Sequence, residues 1–171
     1  MSINMILATG LNGELGQTSS PNGLPWKHNP DDMKMFRELT TGNIVVYGGN
    51  TFRQFQKMGM EYGLPNRMNW VLTSDKNSVP FSYNLCSINS LDKLKRGLEL
   101  YKGTEHLWII GGKSIYEQLN PYCDKVYLTR INQDFPEADV KISLDFLRDF
   151  DIIERIPLND YSEVEVWQRK K

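Results

Sequence analysis

The chain has little of what would mark a metalloprotein or a disulfide scaffold. It contains 2 cysteines, Cys86 and Cys123, and 2 histidines, His28 and His106. No Cys-x-x-Cys pair and no zinc-type spacing occurs, so no metal is expected. Two isolated thiols read as free cysteines of a reducing cytoplasm. A surplus of one charge is lacking as well, since 20 basic residues face 21 acidic ones. The basic residues are scattered, and their longest run is Arg169-Lys170-Lys171. That balance offers no electrostatic footing for nucleic acid or an anionic membrane. No apolar run approaches the length of a membrane span. Met1-Ser2-Ile3-Asn4-Met5 has no positive segment before its apolar stretch, so no signal peptide is expected.

What is present fits one soluble domain, residues 1–171, with 40% hydrophobic and 24% charged residues. Short apolar runs alternate with helical patterns. Strands are predicted at Ile3–Thr9, 43–47, 69–73, Leu85–Ile88, 106–110 and Lys125–Ile131. Helices are predicted at Pro30–Thr40, 50–58, from Ser90 to about Tyr101, and at Lys113–Leu119. Asn50 or Thr51 is the expected cap of the second helix. Two further strands, 152–156 and 164–168, follow with no helix between them. The alternation implies an α/β sheet, parallel in the main, with an antiparallel edge. Gly10 to Pro25, rich in Gly, Asn, Ser and Pro, reads as a long loop of the kind that serves as a lid. Residues 134–145 read as a surface loop.

Asp32 is the most informative acid. Asn29-Pro30 reads as a helix start, with Asn at the N-cap and Pro at the first helical position. Asp32 then lies in the first turn, with Met35 and Phe36 on its face. A carboxylate aimed into an apolar face is costly unless a cationic or amidine-like ligand pairs with it, and its pKa rises. The plainer reading is that Asp31 and Asp32 both complement the helix dipole.

Two strand–glycine–helix junctions stand out. Ile109-Ile110-Gly111-Gly112-Lys113-Ser114 and Tyr47-Gly48-Gly49-Asn50-Thr51 each let backbone N–H groups approach an anion. Neither is the Gly-x-Gly-x-x-Gly fingerprint. Each alone is a weak signal, but two at the ends of strands suggest a ligand with a pyrophosphate.

Taken in order along the whole chain, these segments resemble the dihydrofolate reductase family. The resemblance is carried by Ile6-Leu7-Ala8-Thr9, Leu15-Gly16, Leu24-Pro25-Trp26, Asp32 with Phe36-Arg37 and Thr40, and Val45-Val46-Tyr47-Gly48-Gly49-Asn50-Thr51-Phe52. It continues through Leu64-Pro65-Asn66-Arg67, Ile109-Ile110-Gly111-Gly112 with Ile115-Tyr116-Glu117, and Tyr127-Leu128-Thr129-Arg130-Ile131. It implies an eight-stranded, mostly parallel sheet with flanking helices, and reduction of 7,8-dihydrofolate to tetrahydrofolate by NADPH. A cytoplasmic monomer is expected, with no nucleic acid and no membrane among its partners.

The resemblance also implies roles. Asp32 would hold the 2-amino group and ring N–H of the pterin, with Thr129 at the same polar end, and would raise the basicity of N5. Met33 and Phe36 would pack on the pterin and benzoyl groups, with Phe55 and Leu64 opposite. Arg67 would pair in bidentate fashion with the α-carboxylate of the glutamate tail. Trp26 would wall the pterin and anchor a water. Ile6 and Ile110 would offer carbonyls at the pterin edge. Ala8, Leu15 and Gly16 would border the nicotinamide, with Tyr116 beside it. Gly48, Gly49, Asn50 and Thr51, with Gly111, Gly112, Lys113, Ser114 and Ile115, would meet the pyrophosphate. Asp139 matches a position that supports the lid in some relatives.

The chain departs from the family pattern after Gly48, where Gly49 and Asn50 replace residues that are usually basic, and at Ser114. Leu72, Thr73 and Ser74 match positions near the cofactor's 2′-phosphate, and Lys76 is the expected source of the missing charge. Two other readings compete. One is a reductase of this fold acting on a pyrimidine intermediate of riboflavin synthesis, which Asp32 and Arg67 oppose. The other is a nucleotide-binding protein with a structural role, which would not need Asp32.

Overall fold

The computed structural model describes residues 2–171. In chain order its strands are β1 (Ile3–Thr9), β2 (Glu14–Gly16), β3 (Ile44–Gly48), β4 (Met68–Leu72) and β5 (Leu85–Ile88). They continue with β6 (Leu107–Gly111), β7 (Lys125–Ile131), β8 (Val140–Lys141), β9 (Phe150–Asn159) and β10 (Ser162–Arg169). The helices are α1 (Pro30–Thr40), α2 (Gly49–Lys57), α3 (Leu91–Leu100) and α4 (Lys113–Leu119).

Eight strands form one sheet in the order β5-β4-β3-β6-β1-β7-β10-β9. Pairing is parallel from β5 to β7 and antiparallel for β10 and β9. The central strands are nearly continuous apolar runs because both of their faces are covered. Alternate residues go to opposite faces. Met5, Leu7, Val46, Ile109 and Leu128 pack with Leu94 and Leu98 of α3 and Ile115 and Leu119 of α4. Ile6, Val45, Tyr47 and Trp108 pack on the other face with Phe36 of α1 and Phe52 of α2. β9 is an edge strand, which is why it tolerates Pro157.

Three sequence expectations are corrected. The Gly10–Pro25 loop and the 134–145 loop are not wholly irregular, since β2 and β8 pair within them as a two-stranded antiparallel ribbon. β9 runs well beyond 152–156 at both ends. The second helix starts at Gly49 with Gly48 at its cap, not Asn50 or Thr51. The extended backbone at Gly48 ends β3 and opens the helix in one step, and glycine has no side chain with which to cap it.

Candidate active site

The site gathers at the carboxyl ends of β1, β3, β6 and β7, beside the start of α1. Asn29 is buried, and its side-chain oxygen accepts from the Asp32 backbone N–H at 3.4 Å. Asn159 Nδ2 donates to that same oxygen at 2.9 Å and to Asp31 Oδ2 at 2.9 Å. Asn29 Nδ2 donates to Ser162 Oγ at 3.1 Å, and Ser162 Oγ donates to Asn159 Oδ1 at 2.7 Å. The helix start is thereby fastened to the β9–β10 hairpin. The two acids part company there: Asp31 is exposed on the hairpin side, while Asp32 turns inward.

Thr129, 1% exposed on β7, donates its hydroxyl to Asp32 Oδ1 at 2.6 Å. Burial raises the Asp32 carboxyl above its ordinary pKa, and the Thr129 hydrogen bond pulls it part of the way back. Thr129 pairs with Ala8 in the β1–β7 ladder. Two residues earlier on β1, the Ile6 carbonyl accepts from the Tyr116 hydroxyl at 2.9 Å. Burial pushes the Tyr116 phenol up, and the negative charge of Asp32 adds to that, so the two groups share one electrostatic environment.

An apolar wall adjoins the acid. Ile6, Phe36, Phe55, Leu64 and Ile110 belong to a single cluster. Met33 stands outside it, 41% exposed. Trp26 is buried against Phe135, with ring centroids 5.6 Å apart, in a cluster that includes Ala8 and Leu24. Arg67 is 9% exposed. Its Nε donates to Thr40 Oγ1 at 3.1 Å and its Nη1 to the Pro65 carbonyl at 2.8 Å. The guanidinium carbon lies 5.8 Å from the centre of the Phe36 ring. Burial, and then the positive charge of Arg37, lower the Arg67 pKa. Two adjacent guanidinium groups, one of them desolvated, favour an anionic ligand. The turn carrying Leu64 and Arg67 is pinned by buried Asn69, whose side chain bonds Leu64 N, Leu64 O, Arg67 O and the Tyr47 hydroxyl.

The two glycine junctions are neighbours because β3 and β6 are. Both helices begin on a glycine cap with no side-chain hydrogen bond, α2 at Gly48 and α4 at Gly112. A Cβ on Gly112 would lie 3.7 Å from Thr51 Oγ1, and one on Gly48 would lie 3.3 Å from Ile115 Cγ1. The glycines keep this shared space clear, and the first-turn amides border it. The Gly111–Gly112 peptide is cis, and Gly111 has φ +129°, a conformation open to glycine. Lys113 and Ser114 are exposed at the head of α4, and Thr51 is half-buried at the head of α2.

Leu72 ends β4, Thr73 is buried just beyond it, and Ser74 and Lys76 are exposed. Thr73 Oγ1 lies 3.4 Å from where a Gly49 Cβ would sit. The Arg53 guanidinium reaches the same place. Its Nη1 is also 3.4 Å from that point, and its Nη2 donates to the Asn50 side chain. Arg53 thus brings positive charge back to the turn where Gly49 and Asn50 lack it. Lys76 lies farther along, in a surface groove with Lys93.

The Gly10–Pro25 segment spans the site. Leu15 packs into the core and Gly16 is buried beside Val140. Thr18 donates its backbone N–H to Asp139 Oδ1 at 2.9 Å and its hydroxyl to the other carboxylate oxygen. Those bonds lower the Asp139 pKa. Farther out, the Pro21 carbonyl accepts from Gln54 Nε2 of α2 at 2.9 Å. The segment therefore reaches from the β2–β8 ribbon to α2.

The structure brings in Glu14, Arg53, Asn69, Asn159 and Ser162, none of which sequence reasoning singled out. Asn69 carried a usable signal, a polar residue inside an apolar strand. The others owe their place to contacts distant in sequence or to side-chain direction.

The sequence profile of the dihydrofolate reductase family matches residues 2–165. Among curated relatives, the Bacillus subtilis (strain 168) dihydrofolate reductase is 35% identical over 133 residues, 78% of this chain and 71% of that one. The Escherichia coli dihydrofolate reductase type 9 is 28% identical over 159 residues, 91% of this chain and 84% of that one. A solved structure of Enterococcus faecalis dihydrofolate reductase, complexed with NADP(H) and RAB-propyl, superposes with a TM-score of 0.80. It has 28% identity, covering 99% of this chain and 97% of that chain.

Proposed function

The chain belongs to the dihydrofolate reductase family, and we propose that Asp32, buttressed by Thr129, is the group through which it recognises and activates its substrate. It is an oxidoreductase that reduces 7,8-dihydrofolate to 5,6,7,8-tetrahydrofolate with NADPH. The observation that carries the proposed roles is an inward carboxylate hydrogen-bonded at 2.6 Å to a buried threonine, beside an apolar wall.

Asp32 offers two acceptor oxygens and Thr129 spends its donor on one of them, which orients the carboxylate toward the amidine-like edge of a pterin. Ile6, Phe36, Phe55, Leu64 and Ile110 hold the ring and the benzoyl group, with Met33 at the rim. Arg67 keeps its Nη2 free of partners among the described residues and takes the α-carboxylate of the tail, with Arg37 adding field. Trp26 closes the wall and excludes water.

The cofactor side fits its ligand in the space kept clear between Gly48 and Gly112. Gly48, Gly49, Asn50 and Thr51 present amides and a hydroxyl to the pyrophosphate, with Gly111, Gly112, Lys113, Ser114 and Ile115 facing them. Leu72, Thr73 and Ser74 line the adenosine end. Arg53 and Lys76 supply the positive charge that selects a 2′-phosphate. Ala8, Leu15, Gly16 and Tyr116 border the nicotinamide. Bound NADPH supplies the hydride for C6, and water supplies the proton for N5. The protein's part is to press the two rings together, keep bulk water out and stabilise the positive charge at N5 through Asp32. We place the chain in a reducing cytoplasm as a monomer of one domain, residues 1–171, with no nucleic acid or membrane partner. Its two cysteines are unpaired, and among the described residues no helix is long and apolar enough to cross a membrane.

The test is loss of NADPH absorbance by the purified protein with and without dihydrofolate. Oxidation that requires dihydrofolate, and that collapses in Asp32→Asn, is the expected result. Equal turnover in Asp32→Asn would remove Asp32 from the role.

A further inference from the structure

Glu14 is an acid in an unlikely place. It is 1% exposed in β2. Among the described residues no Lys, Arg or His lies within ion-pair distance of it; Lys141, its cross-strand partner, acts only at longer range. An unpaired buried carboxylate is costly, and an apolar residue would serve the same ribbon without that cost. What the carboxylate does is hold two backbone N–H groups. Oε1 accepts from Asn12 N at 2.5 Å, and Oε2 accepts from Phe135 N at 2.6 Å. Burial works against the ionised form, but the backbone N–H groups of Glu14 itself, Phe135 and Asn12, with the charge of Lys141, outweigh it, so the Glu14 pKa falls below its ordinary value. Gly10 makes the arrangement possible, since a Cβ there would lie 2.9 Å from Oε2 and 2.7 Å from the Phe135 ring.

The two amides belong to different parts of the molecule. Asn12 is in the root of the lid, and Phe135 is in the loop after β7. The Phe135 ring packs on the Trp26 ring, and both are buried in the cluster that backs Ala8. On the other side, Glu14 leads directly into Leu15 and Gly16, which border the nicotinamide in the function proposed above. One side chain is thus bonded to the backbone that carries a substrate-side wall and is part of the strand that carries a cofactor-side wall.

We propose that Glu14 is a positioning residue for hydride transfer: through the amides of Asn12 and Phe135 it fixes the Phe135–Trp26 ring pair against the Leu15–Gly16 strand, and so sets the approach of the two reacting rings. This rests on the dihydrofolate reductase reading. Glu14 touches neither ligand and acts through Phe135. Glutamine at this position cannot serve both amides, because one of its two terminal atoms is itself a donor.

The experiment measures single-turnover hydride transfer with NADPH and its C4-deuterated form in wild type, Glu14→Gln, Phe135→Leu and the double variant. Misplacement of reacting groups by a fraction of an ångström predicts a fall of about tenfold in the hydride step for each single variant. Dissociation constants for NADPH and dihydrofolate are expected to stay within about twofold, and the isotope effect on kcat to rise as chemistry becomes limiting. The double variant is expected to be no slower than the slower single one, because both changes act through one contact. An unchanged hydride rate in Glu14→Gln, a loss confined to ligand binding, or additive effects in the double variant would overturn the positioning role. If Glu14→Gln does not fold, Phe135→Leu decides alone: a wild-type hydride rate overturns the proposal and a tenfold fall supports it. A wild-type chain without dihydrofolate-dependent oxidation would overturn the functional reading instead, and the role with it.

Discussion

The two halves of the site are built from different materials. On the proposed substrate side the groups are buried or half-buried side chains fixed by their neighbours: Asp32 by Thr129, Arg67 by Thr40 and Pro65, and Phe36 and Phe55 by the core. On the cofactor side they are backbone amides at glycine-capped helix starts, with the charged groups exposed around them. Recognition by a few rigid side chains concentrates free energy in single residues. Recognition by backbone spreads it, so substitutions on the two sides should differ in the size and kind of their effects.

The largest expected effect is at Asp32. Asp32→Asn should lower kcat/KM by at least about 10²-fold, the scale of a lost acid–base group, while NADPH binding measured by fluorescence titration stays intact. The same substitution should stabilise the ligand-free protein near neutral pH. The folded-state pKa of Asp32 is raised, so its favourable contribution is fully present below the unfolded value of 3.8 and is lost as pH rises through the folded value. Melting temperatures of the variant and wild type should therefore converge as pH is lowered and diverge as it rises. Convergence at high pH instead would show that Asp32 is not desolvated.

Arg67→Leu should come next, raising KM for dihydrofolate by roughly tenfold or more with a smaller change in kcat, as expected for a lost charge-assisted pair. A dihydropterin substrate without the glutamate tail should be turned over equally by both proteins. If it too is impaired, Arg67 serves the fold rather than the tail. Thr129→Val should cost about tenfold in kcat/KM, the worth of one hydrogen bond to a charged group. It should also raise the apparent pKa of the pH–rate profile, because the hydroxyl now lowers that of Asp32.

The smallest effects belong to the cofactor side. Arg53→Ala should reduce the preference for NADPH over NADH by about fivefold, as suits an exposed ion pair, and added salt should shrink the difference. Lys76→Ala should do less. The reverse order would return the charge to Lys76 and leave Arg53 as a partner for Asn50 alone.

The same division explains what could be read from the chain. β1, α1 and α4 have the boundaries their sequences predict, because Gly10, Asn29-Pro30 and Gly112 mark an end of each, and β7 has them because its run of β-branched and aromatic residues is set between polar neighbours. The inward turn of Asp32 was legible from Phe36 four residues on. The β2–β8 ribbon was not, since strands of three and two residues leave no periodicity and their pairing spans over 120 residues of chain. Nor was Arg53, because a sequence does not record that its side chain folds back toward Gly49. Glu14 read as one more polar residue in a polar loop. Its carboxylate acquires meaning only when Phe135 arrives.

β10 lies inside the sheet, between β7 and β9, with Val164 alongside Thr129, and its first residue Ser162 joins the knot of amides that ties down the start of α1. During synthesis, the glycine junctions proposed to meet the pyrophosphate, at residues 48–51 and 111–115, emerge from the ribosome well before residues 162–169 do. The segment that fastens the start of α1, and with it the backbone that carries Asp32, is thus among the last parts of the fold to be made.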